Sequence, residues 1–282
     1  MQARFSRRMS TLSISGGGAH GAFATLTGQL TINTATVTAV GGGSHGLASF
    51  GAGSFLFARN VTINTSGLGG FGAWTDNSGT LVLDAGHITT SGTNGTGVRV
   101  GLVPGGIGGG SLTVSNTIIE TSGTGASGIR VTDNDSRVIA SNVTITTRSN
   151  NSPGLSSVGR NSLVISDSRV TTLGDSEGIR VQDRGFVSAT NTQIISNSSG
   201  VLIGSGGTIS NPNTVILDGG LVTSLTGDAI AVINNTRSQI VVKNGVSLSA
   251  AFGNLLNVQN SPNTNFEASN VSLRGNLISD TA

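Results

Sequence analysis

The residues best suited to chemistry in this 282-residue chain are two aspartates in similar settings, Asp133 in GIRVTDND and Asp183 in GIRVQDRG. Each stands five residues after a glycine. A carboxylic acid and a carboxylate facing each other across a sugar hydrolyse a glycosidic bond, with the two groups about 6.5 to 9.5 Å apart in an inverting pair. The same residue type also serves as a solvated turn former that bonds its own backbone, and the sequence leaves both readings open. A second set is Trp74, Arg99, Arg130 and Arg180, each two residues after a glycine. An indole stacks on a sugar ring and a guanidinium forks onto an acidic group, so this set is a candidate face for acidic glycans. The competing expectation is that Trp74 packs under Arg99 as a cation–π pair with no ligand.

His20, His45 and His87 lack the spacing of metal ligands, and the chain has no Cys to support them, so neither a metal nor a cofactor is expected. A phosphate loop is not expected either, since Gly105–Gly110 lacks a Lys-Ser/Thr ending.

What positions these residues is a repeat. A line of apolar residues at alternate positions, then a polar bend, then a closing apolar residue followed by Thr or Ser, recurs ten times. Its closing residues are Val37, Ile63, Ile88, Ile119, Ile145, Val170, Ile194, Val222, Leu248 and Leu273, a mean of about 26 residues apart. A short Gly-apolar segment keeps the same period at Gly21, Gly46, Gly72, Gly97, Gly128, Gly154, Gly178 and Gly200, with Asp228 and Asn254 expected in the glycine slot of the last repeats. One step is long because of a Gly-rich insertion around Val103–Gly106. The alternation and the Val, Ile, Leu and Thr content predict strands, and helical spacing is absent. Asn60, Asn116, Asn142, Asn191 and Asn270, with Asp167, share one slot inside the line. Asn tolerates a left-handed backbone, which suits a sharp bend between strands, and stacked copies would bond to one another as a ladder.

Strands of this kind, stacked turn on turn, predict an all-β parallel β-helix of about ten rungs of about 26 residues and roughly 45 to 50 Å in length. Residues 12–275 are assigned to it. Residues 1–11 are expected to be a basic tail, either disordered or not native to the protein, and 276–282 a C-terminal tail. On this register Asp133 and Asp183 lie two rungs, roughly 9 to 10 Å, apart. Trp74, Arg99 and Arg130 form an outward column on consecutive rungs. A flat array of outward Thr for ice binding is interrupted by Ile118, Glu120 and Arg169.

Composition narrows the function classes. The chain has 44 Gly, one Trp, no Tyr and only 10% charged residues. Its sequence pI near 10.4 suggests nucleic acid. Yet Arg4, Arg7 and Arg8 supply three of the 15 basic residues, leaving 12 against 13 acids, too few and too scattered for phosphate recognition. No nucleic-acid partner is expected. No apolar run reaches the length of a membrane-spanning helix.

The segments Ile63-Asn64-Thr65-Ser66-Gly67, Ile88-Thr89-Thr90-Ser91-Gly92 and Ile119-Glu120-Thr121-Ser122-Gly123, each followed five residues later by the Gly-apolar strand, resemble the passenger domains of classical autotransporters, the pertactin-like and AIDA-type surface proteins of Gram-negative bacteria. The likeness covers residues 12–275. It implies a right-handed, single-stranded β-helix, related in shape to pectin lyase-like folds, that is displayed at the cell surface as an adhesin or stalk. It further implies a C-terminal outer-membrane β-barrel in the same precursor, and host or bacterial surface glycans or proteins as partners. Neither a barrel nor a signal peptide is written in these 282 residues, and neither end carries a capping-helix pattern, so a segment of a longer solenoid is expected. The expectation is therefore a non-enzymatic passenger. The alternative is a tailspike-like polysaccharide hydrolase or lyase using Asp133 and Asp183.

Overall fold

The computed structural model describes residues 4–8, 11–101 and 109–277, with side chains for 11–101 and 109–275. The insertion around Val103–Gly106 and the tail 278–282 lie outside the described residues. Within the described residues every regular element is a strand, and every strand pair is parallel. The result is a parallel β-solenoid of about ten turns of about 26 residues, as the repeat predicts.

Each turn has three faces. The first runs through Thr80–Asp84, Ser111–Ser115, Arg137–Ser141 and Ser162–Ser166. The second runs through His87–Thr90, Ile118–Thr121, Thr144–Thr147 and Arg169–Thr172. The third runs through Ala73–Asp76, Val98–Val100, Ile129–Val131, Leu155–Val158 and Ile179–Gln182. In other turns the first two faces merge into one bent strand, such as Phe55–Thr65 or Phe186–Ser196. Alternation sends Leu81, Leu83 and Ile88 inward, then Leu112, Val114 and Ile119 in the next turn, all fully buried in one continuous core.

The bend between the first two faces is where the Asn slot lies. Asn60, Asn116, Asn142, Asn191 and Asn270 have φ of 53°, 51°, 51°, 46° and 51°, and Asp167 has 50°. The left-handed conformation turns the chain sharply, and Asn adopts it at lower cost than other side chains. The ladder forms in pieces: Asn142 Nδ2 donates to Asn116 Oδ1 at 2.8 Å, Asn116 Nδ2 to Asp84 Oδ1 at 2.7 Å, and Asn191 Nδ2 to Asp167 Oδ1 at 3.3 Å. At the second corner, the buried Thr two residues past the closing apolar residue ties off some of the turns, while the hydroxyls of Thr65 and Thr147 in the same slot find no partner. Thr121 Oγ1 donates to Ala126 O at 2.8 Å, and Thr172 Oγ1 to Ser176 O at 3.1 Å.

The glycine column has a steric cause. A Cβ on Gly72 would collide with Cγ2 of Ile88, the closing residue of the next turn, and stand 2.6 Å from Gly97 O. The same holds from Gly21 against Val37 through to Gly200 against Val222. Register corrects the sequence reading here: Val201 pairs with Ile230 and Ile230 with Leu256, so Ala229 and Leu255 occupy the glycine slot, not Asp228 and Asn254. Those two turns close on Leu248 and Leu273, which lack the β-branch that excludes a side chain elsewhere.

The beginning of the chain also departs from expectation. Arg4–Arg8 pairs with residues 29–33, and Thr11–Ile14 with residues 36–39, so strand pairing starts inside the segment assigned to a disordered tail. At the other end Ser272–Leu277 carries strand pairing slightly past residue 275, where Asn276 and Leu277 pair with Asn254 and Leu256 on the third face.

Candidate functional site

The outer side of the third face carries the column expected from the sequence. Phe23, Ala48, Trp74, Arg99, Arg130, Ser156, Arg180 and Leu202 are partners in successive registers. Its exposure is not as expected. Trp74 and Arg99 retain only 8% and 9% of their accessible surface, whereas Arg130 and Arg180 are half-buried.

Trp74 is covered because two outward columns run side by side here, the residue before each glycine and the residue two after it. His20, His45 and Phe71 come from the first column. His20 and His45 stack at 5.0 Å, and His45 and Phe71 stack at 4.4 Å with an interplanar angle of 3°. Trp74 leans on His45 at 4.9 Å, and Ala48 is the small residue that leaves room between Phe23 and Trp74. The near-period spacing of His20 and His45 thus builds a ring stack, while His87 stands on the second face against Glu120 at 3.3 Å. Arg99 does not cap Trp74. Its guanidinium lies over Phe71, 4.8 Å from the ring centroid, and its Nε donates to Gly101 O at 2.9 Å.

Burial sets the electrostatics of this patch. It drives the His45 pKa down to about 3, with the His20 and Arg99 charges adding to the effect. His45 Nδ1 accepts a 3.0 Å hydrogen bond from the Phe71 N–H, an arrangement only the neutral ring permits. Burial, followed by repulsion from Arg130, lowers Arg99 to about 10, against the pull of Asp133 and Asp76. Burial also raises Asp76, and a hydrogen bond with the Asp133 carboxyl adds to that rise.

Asp133 and Asp183 are not brought together. Asp133 is 3% exposed and leans toward the preceding turn, its Cγ 2.8 Å from where a Cβ on Gly101 would stand. Asp183 leans toward the following turn, against Gly206. Both have left-handed backbones, with φ of 66° and 54°, as turn residues do. The carboxyl that Asp133 meets is Asp76, which the sequence reading passed over. Its signal was its place four residues after Gly72, on the outward side of the third face.

Further along the column a small recess opens between Arg130 and Arg180, lined also by Asn94, Asn151, Ser156 and Gln182. Arg180 is tied down: Nη2 and Nε reach Glu177 Oε2 at 2.7 and 3.1 Å, and Nη1 donates to Asn151 Oδ1 at 2.9 Å. Glu177 precedes Gly178 and so belongs to the column of His20, His45 and Phe71; the repeat register alone would have placed it. No group of three or more His, Cys, Asp or Glu gathers among the described residues in a way that would hold a metal.

Over 98% of its length the chain superposes on 75% of a chain in the cryo-EM structure of the Vag8–C1 inhibitor complex, with a TM-score of 0.71 and 20% identity. Vag8 is a Bordetella autotransporter passenger. The chain has the β-helix fold of that passenger. A second similar structure is the A-module of the Azotobacter vinelandii mannuronan C-5 epimerase AlgE4, with a TM-score of 0.44 and 15% identity over 89% of this chain and 87% of that one. No protein-family model and no curated protein sequence matches the chain.

Proposed function

We propose that the chain is a non-catalytic, surface-displayed β-helical passenger segment that acts as an adhesin or stalk. The observation that carries this reading is the rod itself, ten parallel turns with the passenger fold, on which the two aspartates expected to do chemistry lean in opposite directions. Vag8 is seen in complex with C1 inhibitor, and a protein or glycan partner on the third face is the corresponding role here. Antibodies against the purified chain are expected to label intact cells of the source organism, with the signal removed by external protease. Labelling that requires permeabilisation refutes the reading.

A polysaccharide-active β-helix is the second reading, and one observation favours it: the desolvated Asp76 carboxyl bonded to Asp133 beside Arg99. Turnover of any member of a polysaccharide panel, lost in Asp76→Asn and Asp133→Asn, would establish it over the first.

A further inference from the structure

Of the three arginines in this column, two have an answering carboxylate. Arg99 feels both Asp133 and Asp76, and Arg180 is clasped by Glu177. Arg130 lies between them, paired in register with Arg99 one turn before it and separated from Arg180 by Ser156. Its Nε is shut off from solvent and donates to no acceptor among the described residues. Burial and then the Arg180 charge both disfavour its cationic form. Leaving a half-buried guanidinium next to two like charges is unfavourable unless something outside the chain answers it.

The recess beside Arg130 has the chemistry of an answer. Its walls are the amides of Asn94, Asn151 and Gln182 and the hydroxyl of Ser156, with almost no apolar surface, and its volume of about 80 Å³ admits a few water-sized groups. Ser156 is the one short side chain between two long cations in the column, so the opening exists because that position is small. With Glu177 neutralising Arg180, the recess carries one net positive charge and suits one negative charge. A guanidinium at the wall of the recess matches a carboxylate, and the surrounding amides and hydroxyl match the hydroxyls of a sugar ring.

We propose that the recess formed by Arg130, Ser156 and Arg180 binds the carboxylate of an acidic sugar, a hexuronate unit within a glycan. The site begins two turns beyond Trp74, so the aromatic stack is structural support for the face and the arginine recess is where the ligand is held. This deepens the surface-binding reading and rests on it only for where the glycan is met. Binding is measured on the isolated chain and location on cells, so either can fail without the other.

The experiment is titration calorimetry at low salt with trigalacturonate, its methyl ester, and a sulfated neutral trisaccharide. The acid is expected to bind and the methyl ester to bind at least tenfold more weakly. Arg130→Gln is expected to weaken the acid at least tenfold with an unchanged melting temperature, and Arg130→Lys to fall between. Ser156→Glu supplies a carboxylate from within the chain, so it is expected to abolish binding while raising the melting temperature. Equal binding of acid and ester, undiminished binding by Arg130→Gln or Ser156→Glu, preference for the sulfated sugar, or no binding of any probe by folded wild type would each overturn the proposal.

Discussion

Acid should loosen the N-terminal half of the rod through His45. The ring lies between His20 and Phe71 in a stack, touches Trp74, and accepts the Phe71 N–H at Nδ1. Protonation would set two donors against each other and place a charge in a desolvated stack near Arg99 and His20, which is why its pKa falls from 6.5 to about 3. For a base with a depressed native pKa, the unfolded chain takes up the proton first. Stability is then whole above about pH 6.5, is lost as pH falls, and levels off below about pH 3. At 1.36 kcal/mol per unit the full loss is about 4 to 5 kcal/mol, and about 2 kcal/mol is gone by pH 5. His20, also lowered by burial, adds in the same direction; Asp76, raised by burial, opposes, its contribution being whole at low pH and lost as pH rises through its native pKa. His45→Phe isolates the His45 share, because it keeps a stacked ring and removes the titration. Urea melts followed by the fluorescence of Trp74, the chain's one Trp, report on these turns directly. Wild type should lose its advantage over His45→Phe by about 2 kcal/mol between pH 7.5 and 5. Parallel stability curves for the two proteins, or a His45 ring that titrates near 6.5 by NMR, would refute the reasoning.

Three further outcomes follow from packing. Leu83→Ala and Ile165→Ala, both at fully buried sites, should each destabilise by about 2 to 5 kcal/mol in denaturant melts, whereas Thr89→Ala on the outer side of the second face should change little. Gly72→Ala should be strongly destabilising, and adding Ile88→Leu, the pairing that Ala229 and Leu248 already use, should restore part of the loss; additive effects in the double-mutant cycle would contradict the steric account of the column. Asn142→Ala should cost about 1 to 2 kcal/mol for its left-handed backbone and lost ladder bond, while Asn142→Gly, which keeps the conformation, should cost less; equal losses on melting would count against the bend assignment.

The turns of this solenoid were legible in the sequence because each is a local event repeated ten times. Apolar alternation, the Asn bend and the closing Thr recur at one period, and parallel stacking requires equivalent residues to meet. The column from Phe23 to Leu202 was legible for the same reason, since register follows from period. The slot of Ala229 and Leu255 was missed by one residue because the polar Asp228 and Asn254 resemble turn residues. Only the register, Val201 with Ile230 and Ile230 with Leu256, shows which position faces the next turn's closing residue. Burial across the outside of the third face was not legible at all. The pattern assigns Trp74 and Arg99 outward, and outward they point, but their exposure depends on which neighbours in the adjoining column are large. His45 and Phe71 cover the first turns, while Ser127 and Pro153 leave the later ones open. The pairing of Asp133 with Asp76 instead of Asp183 was likewise decided in three dimensions. Period fixes how many turns separate two carboxyls, but the direction in which each side chain leans along the rod depends on the void beside it, and Gly101 provides that void on one side only.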